Sequence, residues 1–446
     1  MKEEIFSVIN TDPSNLSELK TLLAWLNTQD ISEILDALDR EKTTTVFRIL
    51  PKSIAADVFA YVDSDRQRII VEALTDAEIG EIMGKLFVDD AVDFIEEMPA
   101  NVVKRVLQNV PPEKRTLINH ILQYPDDSAG SLMTTEYVDL PKDATVQEAF
   151  DCIRRTGVSK ETIYTCYVIL RDRLLVGVVS AKNLMLADPR DIIGDIMDVT
   201  PVFAYTTDDQ EAIADKFRKY GLLAMPLVDK EQRLVGIITV DDIVEVIVEE
   251  STEDIEKMGA LAPSDEPYLK TGVLRLARNR ILWLMILMIS ATISASIISG
   301  FEDSLAVLPI LMAFIPMLMD SGGNAGSQSS TLIIRGMAVG EISLTDIFRV
   351  VWREIRVGTL CGLALGLVNL VRIYLMHGKD LMLSVTVTLS LFCTILVAKT
   401  VGGLLPIVAK RLRLDPAIMA APVITTIVDA VSLIIYFSIA KIFIGL

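Results

Sequence analysis

A single aspartate stands inside an apolar segment near the C-terminus. The segment is VITTIVDAVSLIIY, and its one charged residue is Asp429. Ionisable side chains are costly inside a membrane, and those that occur there usually face a partner or a water-filled path. Asp429 is therefore a candidate functional residue. The structural alternative is that Asp429 is protonated, or is paired with Lys399 or a hydroxyl group.

Other acidic residues recur at helical spacing before residue 260. One-turn spacing is shared by the pair Asp89 and Asp93, the pair Asp242 and Glu245, and the set Glu250, Glu253 and Asp254. Each set can present its carboxylates on one helix face. Such densely placed like charges repel across a closed interface unless cations bridge them. The alternative is a solvated acidic face.

Ligands for transition metals are scarce. The two histidines, His120 and His377, are too few for an imidazole-rich site. The four cysteines form no CxxC pair and need no disulfide, so oxygen atoms must hold any metal. No nucleophile, glycine-rich phosphate loop or His/Cys cluster indicates an enzyme. An intramembrane aspartyl protease would need paired acids with a GxGD motif, which the chain lacks.

Charge and hydropathy divide the chain into two halves. Residues 1–270 contain 51 acidic and 28 basic residues, whereas residues 271–446 contain 9 acidic and 14 basic residues. The second half has five long uncharged runs, at residues 281–301, 304–319, 357–371, 381–398 and 416–428, the last continuing past Asp429 to residue 440. A crossing needs about 20 residues. These runs predict five membrane-spanning helices.

The basic residues of the second half predict its orientation. Those placed before span one, between spans two and three, and between spans four and five are Arg275, Arg278, Arg280, Arg335, Arg349, Arg353, Arg356, Lys410, Arg411 and Arg413. Between other spans only Arg372 and Lys379 occur. The positive-inside rule then predicts a cytoplasmic N-terminus and an extracytoplasmic C-terminus. No cleavable signal pattern opens the chain, so residues 1–270 are expected on the cytoplasmic side.

The acidic half contains a helical region and an internal repeat. From residue 17 to residue 122, apolar residues recur at helical spacing between polar or proline-containing links, which predicts a stack of short helices. Further along, LLVGVVSAKNLM is echoed 59 residues later by RLVGIITVDDIVEV. An amphipathic helix and an apolar strand precede each copy. This duplication predicts two similar β-α-β halves that pack together.

These features together resemble the MgtE family of magnesium channels. They are the helical region, the repeat as a pair of CBS domains, the connector STEDIEKMGAL, the apolar runs, GGNAGSQSSTLIIR and TTIVD. The resemblance implies a multidomain membrane protein: an all-α cytosolic N-domain forming a helical superhelix, an α/β CBS pair and an α-helical membrane domain of five helices. The implied domains are residues 1–124, 125–248 with repeats near 133–192 and 196–248, a connecting helix at 249–279, and 280–446.

The resemblance implies a Mg²⁺ channel in the cell membrane, built as a homodimer. Mg²⁺ demands octahedral oxygen coordination and loses water reluctantly, so one carboxylate per chain suffices if a two-fold axis doubles it. The matching pore residue is Asp429, with Thr425 and Thr426 near the hydration shell. Asn324 is the implied polar residue of the glycine motif, ahead of Asp320 and Gln328. The glycines disfavour a continuous helix there and suit close helix packing, and Lys399 is expected to extend to the cytoplasmic interface.

The resemblance also implies Mg²⁺ sensing, in which the bound ion holds a closed state. The matching acids are Asp89, Asp93, Glu211, Asp242, Glu245, Glu250, Glu253, Asp254 and Asp415. Gly221 occupies a family position that can carry an acid, which implies fewer ligands there.

Nucleotide binding and coupled transport stay open. CBS pairs that bind adenosine nucleotides use an [ST]xxD pattern, which is present as Thr239 and Asp242 but has Ser180 with Asn183 in the first repeat. ATP is therefore a second candidate ligand, and Asp242 has Mg²⁺ as its alternative. An ion-coupled secondary transporter of divalent cations is the other functional class, although it would usually need a second titratable group.

Overall fold

The chain forms two units, Met1–Ile247 and Val248–Leu446. The structure is a computed structural model that describes residues 5, 9, 16–264, 268–302, 308–376, 380–419 and 421–444. Several sequence features fall outside these ranges, namely residues 265–267 of the connector, residues 304–307 of the predicted second span, His377, Lys379 and residue 420 of the predicted fifth span.

The first part of unit 1 is a stack of short α-helices, as predicted. In the described residues they are α1 (Leu16–Leu23), α2 (Thr28–Ala37), α3 (Arg40–Ile49), α4 (Ala55–Ala60), α5 (Ser64–Ala73), α6 (Asp76–Lys85), α7 (Val88–Glu96), α8 (Ala100–Asn109) and α9 (Pro112–Ile121). Helices this short are marginal in isolation, so packing must stabilise them. Their apolar residues, such as Ile34, Phe59 and Val92, share one buried core.

Polar residues at the helix starts fix where these helices begin. The Asp39 side chain accepts a hydrogen bond from the Lys42 backbone N–H at the start of α3. At the start of α6, Thr75 and Glu78 form a reciprocal capping box. Such contacts satisfy backbone donors that the first helical turn leaves free. In α7, the helix that carries Asp89 and Asp93, the first turn is itself acidic.

The repeated sequence folds into two small sheets of the same topology. The first repeat contains β1 (Asp139–Pro141), α10 (Val146–Thr156), β2 (Thr165–Ile169), β3 (Leu175–Ser180), α11 (Ala181–Leu186) and α12 (Ile193–Ile196). The second contains β4 (Ala204–Tyr205), α13 (Gln210–Tyr220), β5 (Ala224–Val228), β6 (Leu234–Thr239) and the start of α14 (Val240–Met258). In each sheet the first strand runs parallel to the second, and the third is antiparallel to it.

The two repeats pack together as predicted. Tyr137 and Tyr167 of the first repeat share an apolar cluster with Ala224, Leu234 and Ile237 of the second. The Leu175 backbone N–H also donates to the Gln232 carbonyl at 3.0 Å.

Glycine is required at equivalent positions of the two repeats for the same steric reason. A Cβ atom at Gly177 would lie 2.7 Å from the Asp198 carbonyl oxygen, and one at Gly236 would lie 2.7 Å from the Thr134 carbonyl oxygen. No side chain fits such close backbone approaches.

The helix after the last strand continues into the predicted connector. Helix α14 has 19 residues and ends at Met258, so the acids from Asp242 to Asp254 all lie on one helix. The next helix, α15, begins at Val273.

Unit 2 is helical in the residues that the structure describes. Its long helices are α15 (Val273–Gly300), α16 (Ile315–Ala338), α17 (Ile347–Met376), α18 (Leu381–Arg411) and α19 (Ala421–Ile444). Four of them, α15, α17, α18 and α19, are long and apolar enough to cross a membrane. Helices α16, α18 and α19 pack on one another around an apolar core that includes Leu318, Leu391 and Val428.

Two predictions about the second span are wrong in detail. Pro309–Phe314, within the predicted run 304–319, forms a 3₁₀ turn, and α16 begins only at Ile315. The glycine motif then continues as regular helix to Ala338 rather than interrupting it. Packing explains this outcome, because tertiary contacts override the low helix propensity of glycine.

The glycines of α16 allow its neighbours to approach closely. A Cβ at Gly322 would lie 2.7 Å from Thr394 Cγ2, and one at Gly326 would lie 2.7 Å from Ile424 Cγ2. This is the close helix packing predicted for these residues, and small residues serve it in membrane helices generally.

Candidate functional site

One face of α16 carries a polar stripe. Asp320, Asn324 and Gln328 are four residues apart, and all three are exposed, whereas Gly322, Gly326 and their neighbours on the opposite face are buried. Asn324 Nδ2 donates a hydrogen bond to Asp320 Oδ1 at 3.2 Å. Spacing of four residues places side chains on the same helix face. The stripe therefore aligns one carboxylate and two amides along α16.

Asp429 lies on α19, which packs against α16. Its side chain is half-buried, and its carboxylate is near enough to that of Asp320 for the two to interact electrostatically. One turn earlier, the hydroxyls of Thr425 and Thr426 each donate to the Pro422 carbonyl at 3.0 Å. The oxygen lone pairs of both hydroxyls stay available to accept. Asp429 and the α16 stripe together form an oxygen-rich surface of the kind that hard cations prefer.

Lys399 does not extend to an interface as predicted. Its side chain is buried in unit 2, at 6% exposure, and its Nζ donates to Gln328 Oε1 at 3.5 Å. The physical reason is that burial within a packed bundle is tolerated when a polar partner is present. Lys399 therefore contacts the polar stripe of α16.

In unit 1 the predicted acids of α7 and α14 come together. Asp89 and Asp93 of α7 both interact electrostatically with Asp242 of α14, and Asp93 interacts with Glu245 as well. Asp89 is buried, at 7% exposure. The four acids that sequence spacing placed on two helix faces thus meet across one surface.

Acidic residues that the sequence analysis did not select join this group. They are Asp90, Asp241 and Glu161, and Glu161 carries an Oε2 atom that is buried without a hydrogen-bond partner. Asp90 and Asp241 directly precede or follow selected acids, so sequence adjacency was an available signal. Glu161 follows a 3₁₀ turn, where no periodicity indicates its position. We call these seven residues, Asp89, Asp90, Asp93, Glu161, Asp241, Asp242 and Glu245, the acidic cluster.

Burial and charge repulsion raise the pKa values of six carboxyl groups in the cluster, those of Asp89, Asp90, Asp93, Glu161, Asp242 and Glu245. Burial, followed by the charges of Asp242 and Asp90, holds the pKa of Asp89 well above its usual range. Burial and neighbouring acids raise the pKa of Glu161 to about 8 and that of Asp242 to about 7. Burial, followed by the charges of Asp242 and Asp90, raises the pKa of Asp93 to about 8.

One lysine accompanies the cluster. Lys114 is half-buried, and its Nζ donates to the Leu86 carbonyl just before α7. Burial raises the pKa of Asp90 to about 6, and the Lys114 ammonium opposes that rise. The Lys114 ammonium thus offsets part of the repulsion among these carboxyl groups.

No three of these side chains converge tightly enough to hold a bare metal ion. This holds for every His, Cys, Asp and Glu within the ranges that the structure covers. Mg²⁺ usually keeps several of its waters, however, and can bridge carboxylates through them. The donor set is all oxygen, which suits a hard cation and no soft one.

In the second repeat, the two residues of the nucleotide-binding [ST]xxD pattern are hydrogen-bonded to each other. The Thr239 hydroxyl donates to Asp242 Oδ2 at 3.0 Å and also contacts Asp241. In the first repeat, Ser180 accepts from the Asn183 backbone N–H at the start of α11. Asp242 therefore faces both the Thr239 hydroxyl and the acidic cluster.

A second acidic group lies in unit 2, where α14 meets the turn before α19. Lys257 Nζ is 2.6 Å from Glu253 Oε1 and 2.7 Å from Asp415 Oδ2. Burial opposes the charge of Lys257, but its hydrogen bonds to Asp415 and Glu253 outweigh burial and raise its pKa. Burial and Asp415 raise the pKa of Asp254. Three of the predicted acids thus surround a lysine that the sequence analysis did not select.

The remaining predicted acids are Glu250 of α14 and Glu211 of α13. Glu250 is half-buried on α14, three residues before Glu253. Glu211 is exposed in the first turn of α13, where its backbone N–H donates to Asp209 Oδ1 at 3.0 Å. Gly221 ends α13 in a left-handed conformation with φ of 62°, which favours glycine.

Family comparisons agree with this layout. The chain matches the MgtE divalent cation transporter domain at residues 315–439, the MgtE intracellular N domain at 26–127, and CBS domains at 129–190 and 193–249. It is 36% identical over 427 residues to the magnesium transporter MgtE of Thermus thermophilus, covering 95% of this chain and 94% of that protein. It is 32% identical over 432 residues to the magnesium transporter MgtE of Bacillus subtilis, covering 93% and 94% respectively.

Solved structures resemble slightly more than half of the chain. One is the soluble part of a magnesium transporter, with a TM-score of 0.53 and 28% identity, covering 56% of this chain and all of that one. Another is the cytosolic domain of the Mg²⁺ channel MgtE in complex with ATP, with a TM-score of 0.52 and 32% identity, covering 55% of this chain and all of that one. With relatives matched along nearly its whole length, this multi-pass membrane protein belongs to the MgtE family of divalent cation transporters.

Proposed function

We propose that this chain forms a Mg²⁺-selective channel for magnesium uptake, gated by intracellular Mg²⁺. Family membership supports transport of a divalent cation, and the relatives named as magnesium transporters support Mg²⁺ as the substrate. The observation that carries the proposal is the oxygen-rich surface of Asp429, Asp320 and Asn324 between two packed helices of unit 2.

The substrate passes Asp429 in a largely hydrated form. Mg²⁺ releases its waters reluctantly, so a carboxylate and nearby amide and hydroxyl oxygens attract the hydrated ion more readily than they strip it. In a homodimer, two copies of Asp429 would flank one axis. Asn324 and the Thr425 and Thr426 hydroxyls then orient the hydration shell. An uncharged side chain in place of Asp429 would lack the electrostatic attraction that the fixed carboxylate exerts on the ion.

The membrane arrangement is part of the proposal. Helix α16 has 24 residues, enough to cross a bilayer, and would make a fifth span beside the four more apolar helices. The polar stripe makes α16 less hydrophobic than the other four long helices. Under the positive-inside rule, the arginines before the first span and in the loops after the second and fourth spans support a cytoplasmic N-terminus and an extracytoplasmic C-terminus.

Replacing Asp429 tests the pore assignment. Asp429→Ala should abolish Mg²⁺ uptake into liposomes by purified protein, because it removes the fixed charge of that span. Glu341→Ala removes an exposed carboxylate outside the stripe and should leave uptake unchanged. Elution of both variants as dimers in detergent checks assembly. Normal uptake by a well-folded Asp429→Ala protein would place the pore elsewhere, and elution as monomers only would contradict the dimer.

Gating rests on the acidic groups of the cytosolic part. In low Mg²⁺ the carboxylates of the cluster repel one another, and bound Mg²⁺ supplies the bridging charge that holds the closed state. We assign Mg²⁺ sensing to acidic residues of the acidic cluster, of the group around Lys257 and of their surroundings. They are Asp89, Asp93, Glu211, Asp242, Glu245, Glu250, Glu253, Asp254 and Asp415. A ligand that binds only the closed state deepens closure as its concentration rises.

Flux as a function of internal Mg²⁺ tests the sensor. Removing residues 1–124, or neutralising Asp89, Asp93, Asp242 and Glu245 together, should leave channels open at Mg²⁺ levels that close the intact protein. Protease cleavage around residues 249–257 should slow in Mg²⁺ for the intact protein alone. If both flux and cleavage of the intact protein ignore Mg²⁺ from micromolar to millimolar levels, the acidic groups are a solvated face.

ATP is a second proposed ligand of the CBS pair. The support is a related cytosolic domain crystallised with ATP, together with Thr239 and Asp242. Titration of the soluble half with ATP, with and without Mg²⁺, tests binding and shows whether the two ligands compete for Asp242.

Coupled transport is the competing function. The second acid near Asp429, Asp320, is the feature that favours it, because coupling usually needs a second titratable group. Rates far above carrier turnover that do not respond to a proton gradient would exclude it.

A further inference from the structure

Unit 2 buries a carboxyl group that the proposed permeation path does not use. Glu354 of α17 is 8% exposed, and its Oε2 atom accepts a hydrogen bond from the Ser329 hydroxyl of α16 at 2.6 Å. Ser329 is 1% exposed. Acidic residues buried in membrane domains are expensive to place there and are rarely without a role.

The Glu354 side chain is enclosed by three helices. On α18, a Cβ atom at Gly403 would lie 2.8 Å from Glu354 Cγ, so glycine makes room for the carboxyl stem. The neighbouring Gly402 packs against the backbone of Gly326 on α16. The Ser329 to Glu354 hydrogen bond therefore lies where α16, α17 and α18 pack closely together.

The buried face of α16 offers little else to fix its rotation. The middle of that face is built from Gly322, Gly323, Ala325 and Gly326, which lack side chains long enough to interlock with grooves. Larger buried side chains lie nearer its two ends, namely Ile315, Leu318, Ile333, Ile334 and Met337, and the buried Ser330 hydroxyl donates to the Met419 carbonyl at 2.8 Å. Smooth small-residue faces let helices approach but specify register weakly, whereas a buried polar contact can specify one arrangement. Slippage by one residue would turn α16 by about 100°. Such a turn would carry Asp320 and Asn324 away from Asp429.

We propose that Glu354 is a positioning residue for permeation, which through Ser329 fixes the rotation of α16 and so holds the Asp320, Asn324 and Gln328 stripe against Asp429. This inference rests on the proposed pore, and it concerns a residue outside the pore lining. Its direct consequence is that the hydrogen bond, rather than the bulk of the side chain, is needed for uptake.

Four variants of the full-length protein in liposomes separate these roles. Glu354→Leu keeps apolar bulk but loses the acceptor, and Ser329→Ala loses the donor, so each should lower Mg²⁺ uptake about tenfold. Glu354→Gln keeps an acceptor oxygen and should retain at least about half of the uptake. The double variant should be no worse than either single one, because both remove the same contact.

The control and the contrary outcomes distinguish positioning from stability. Ser390→Ala removes a buried hydroxyl that donates to the Thr386 carbonyl of its own helix, and it should leave uptake unchanged. Replacing a buried carboxyl by a similar apolar group need not destabilise a protein, so Glu354→Leu should keep its Tm while uptake falls. Wild-type-like uptake by Glu354→Leu, or losses in uptake that follow losses in Tm across the set, would overturn the proposal. An inactive wild-type protein would instead refute the proposed function.

Discussion

At the scale of single residues, Lys257 of α14 occupies acidic groups that could otherwise bind a cation. Its ammonium lies between the carboxylates of Glu253 and Asp415 and satisfies both. The ammonium thus bridges two carboxylates in the absence of Mg²⁺, as a bound ion would. Sequence spacing selected Glu253 and the family resemblance selected Asp415, but neither selected this lysine, because periodicity shows which residues share a face but not which charges meet across the fold.

Removing that charge should change gating in two ways. Lys257→Gln should raise flux at the lowest internal Mg²⁺, because the tether to Asp415 is lost. It should also shift closure to lower Mg²⁺, about threefold to tenfold, because one competing cation near three acids is gone. Flux curves against internal Mg²⁺ measure both effects. Lys257→Arg keeps the charge and should behave like wild type, and a curve unchanged in Lys257→Gln would show that the ion pair does not affect gating.

At the scale of elements, α16 shows where sequence reasoning succeeds and where it fails. The motif DSGGNAGSQSS correctly indicated close packing, but its glycines wrongly indicated a break in the helix. Propensity is local, whereas contacts with Thr394 and Ile424 come from helices far along the chain. The burial of Lys399 was missed for the same reason, since a snorkelling lysine and a buried one have the same sequence context.

Regular patterns predicted the other elements well. The 59-residue repeat indicated two sheets of equal topology, and helical spacing indicated the N-terminal stack, because both features are set by short-range periodicity. The acids of α7 and α14 were placed on their correct helix faces. Glu161, Lys114 and Glu354 could not be selected, because a turn residue or a lone charge becomes significant only when the fold brings its partners near.

Helix packing in unit 2 can be tested with a single methyl group. Gly402→Ala would place Cβ against the Gly326 backbone, where no side chain can move aside, and should cost about 1 to 3 kcal/mol of stability. A lower Tm and reduced Mg²⁺ uptake are expected together. Gly300→Ala is the matched control, because a Cβ there meets no atom within 4 Å. Equal behaviour of the two variants would mean that α16 and α18 are not closely packed in the working protein.

At the scale of the whole molecule, charge is segregated along the chain. The first 270 residues contain 51 acidic and 28 basic residues and are therefore strongly negative, whereas the membrane half has an excess of basic residues. Self-repulsion of this size favours separation of the acidic elements in the first half unless counter-charge is present. Protons and Mg²⁺ are both able to supply it, so the two should compete at the acidic cluster.

That competition predicts how stability depends on pH. Packing raises the pKa values of Asp90, Asp242 and Glu161 to about 6, 7 and 8, above the ordinary carboxyl range. A raised carboxyl pKa favours the packed state when the group is protonated, so this stability is complete in acid and is lost as pH rises through these values. Without Mg²⁺, the Tm of the purified protein should fall by about 5 °C between about pH 5.5 and about pH 8.5.

Millimolar Mg²⁺ should reverse most of that fall, because it binds the deprotonated carboxylates, and its effect on Tm should therefore grow with pH. Thermal unfolding with Mg²⁺ and with a chelator, at each pH, measures both slopes. The control carries Asp90→Asn, Glu161→Gln and Asp242→Asn together, which removes three of the titrating groups while keeping their shape. Its Tm should vary less with pH than that of the wild type and respond less to Mg²⁺. The same pH slope in control and wild type would assign the dependence to other groups, and a Mg²⁺ effect independent of pH would show that protons and Mg²⁺ do not share the acidic cluster.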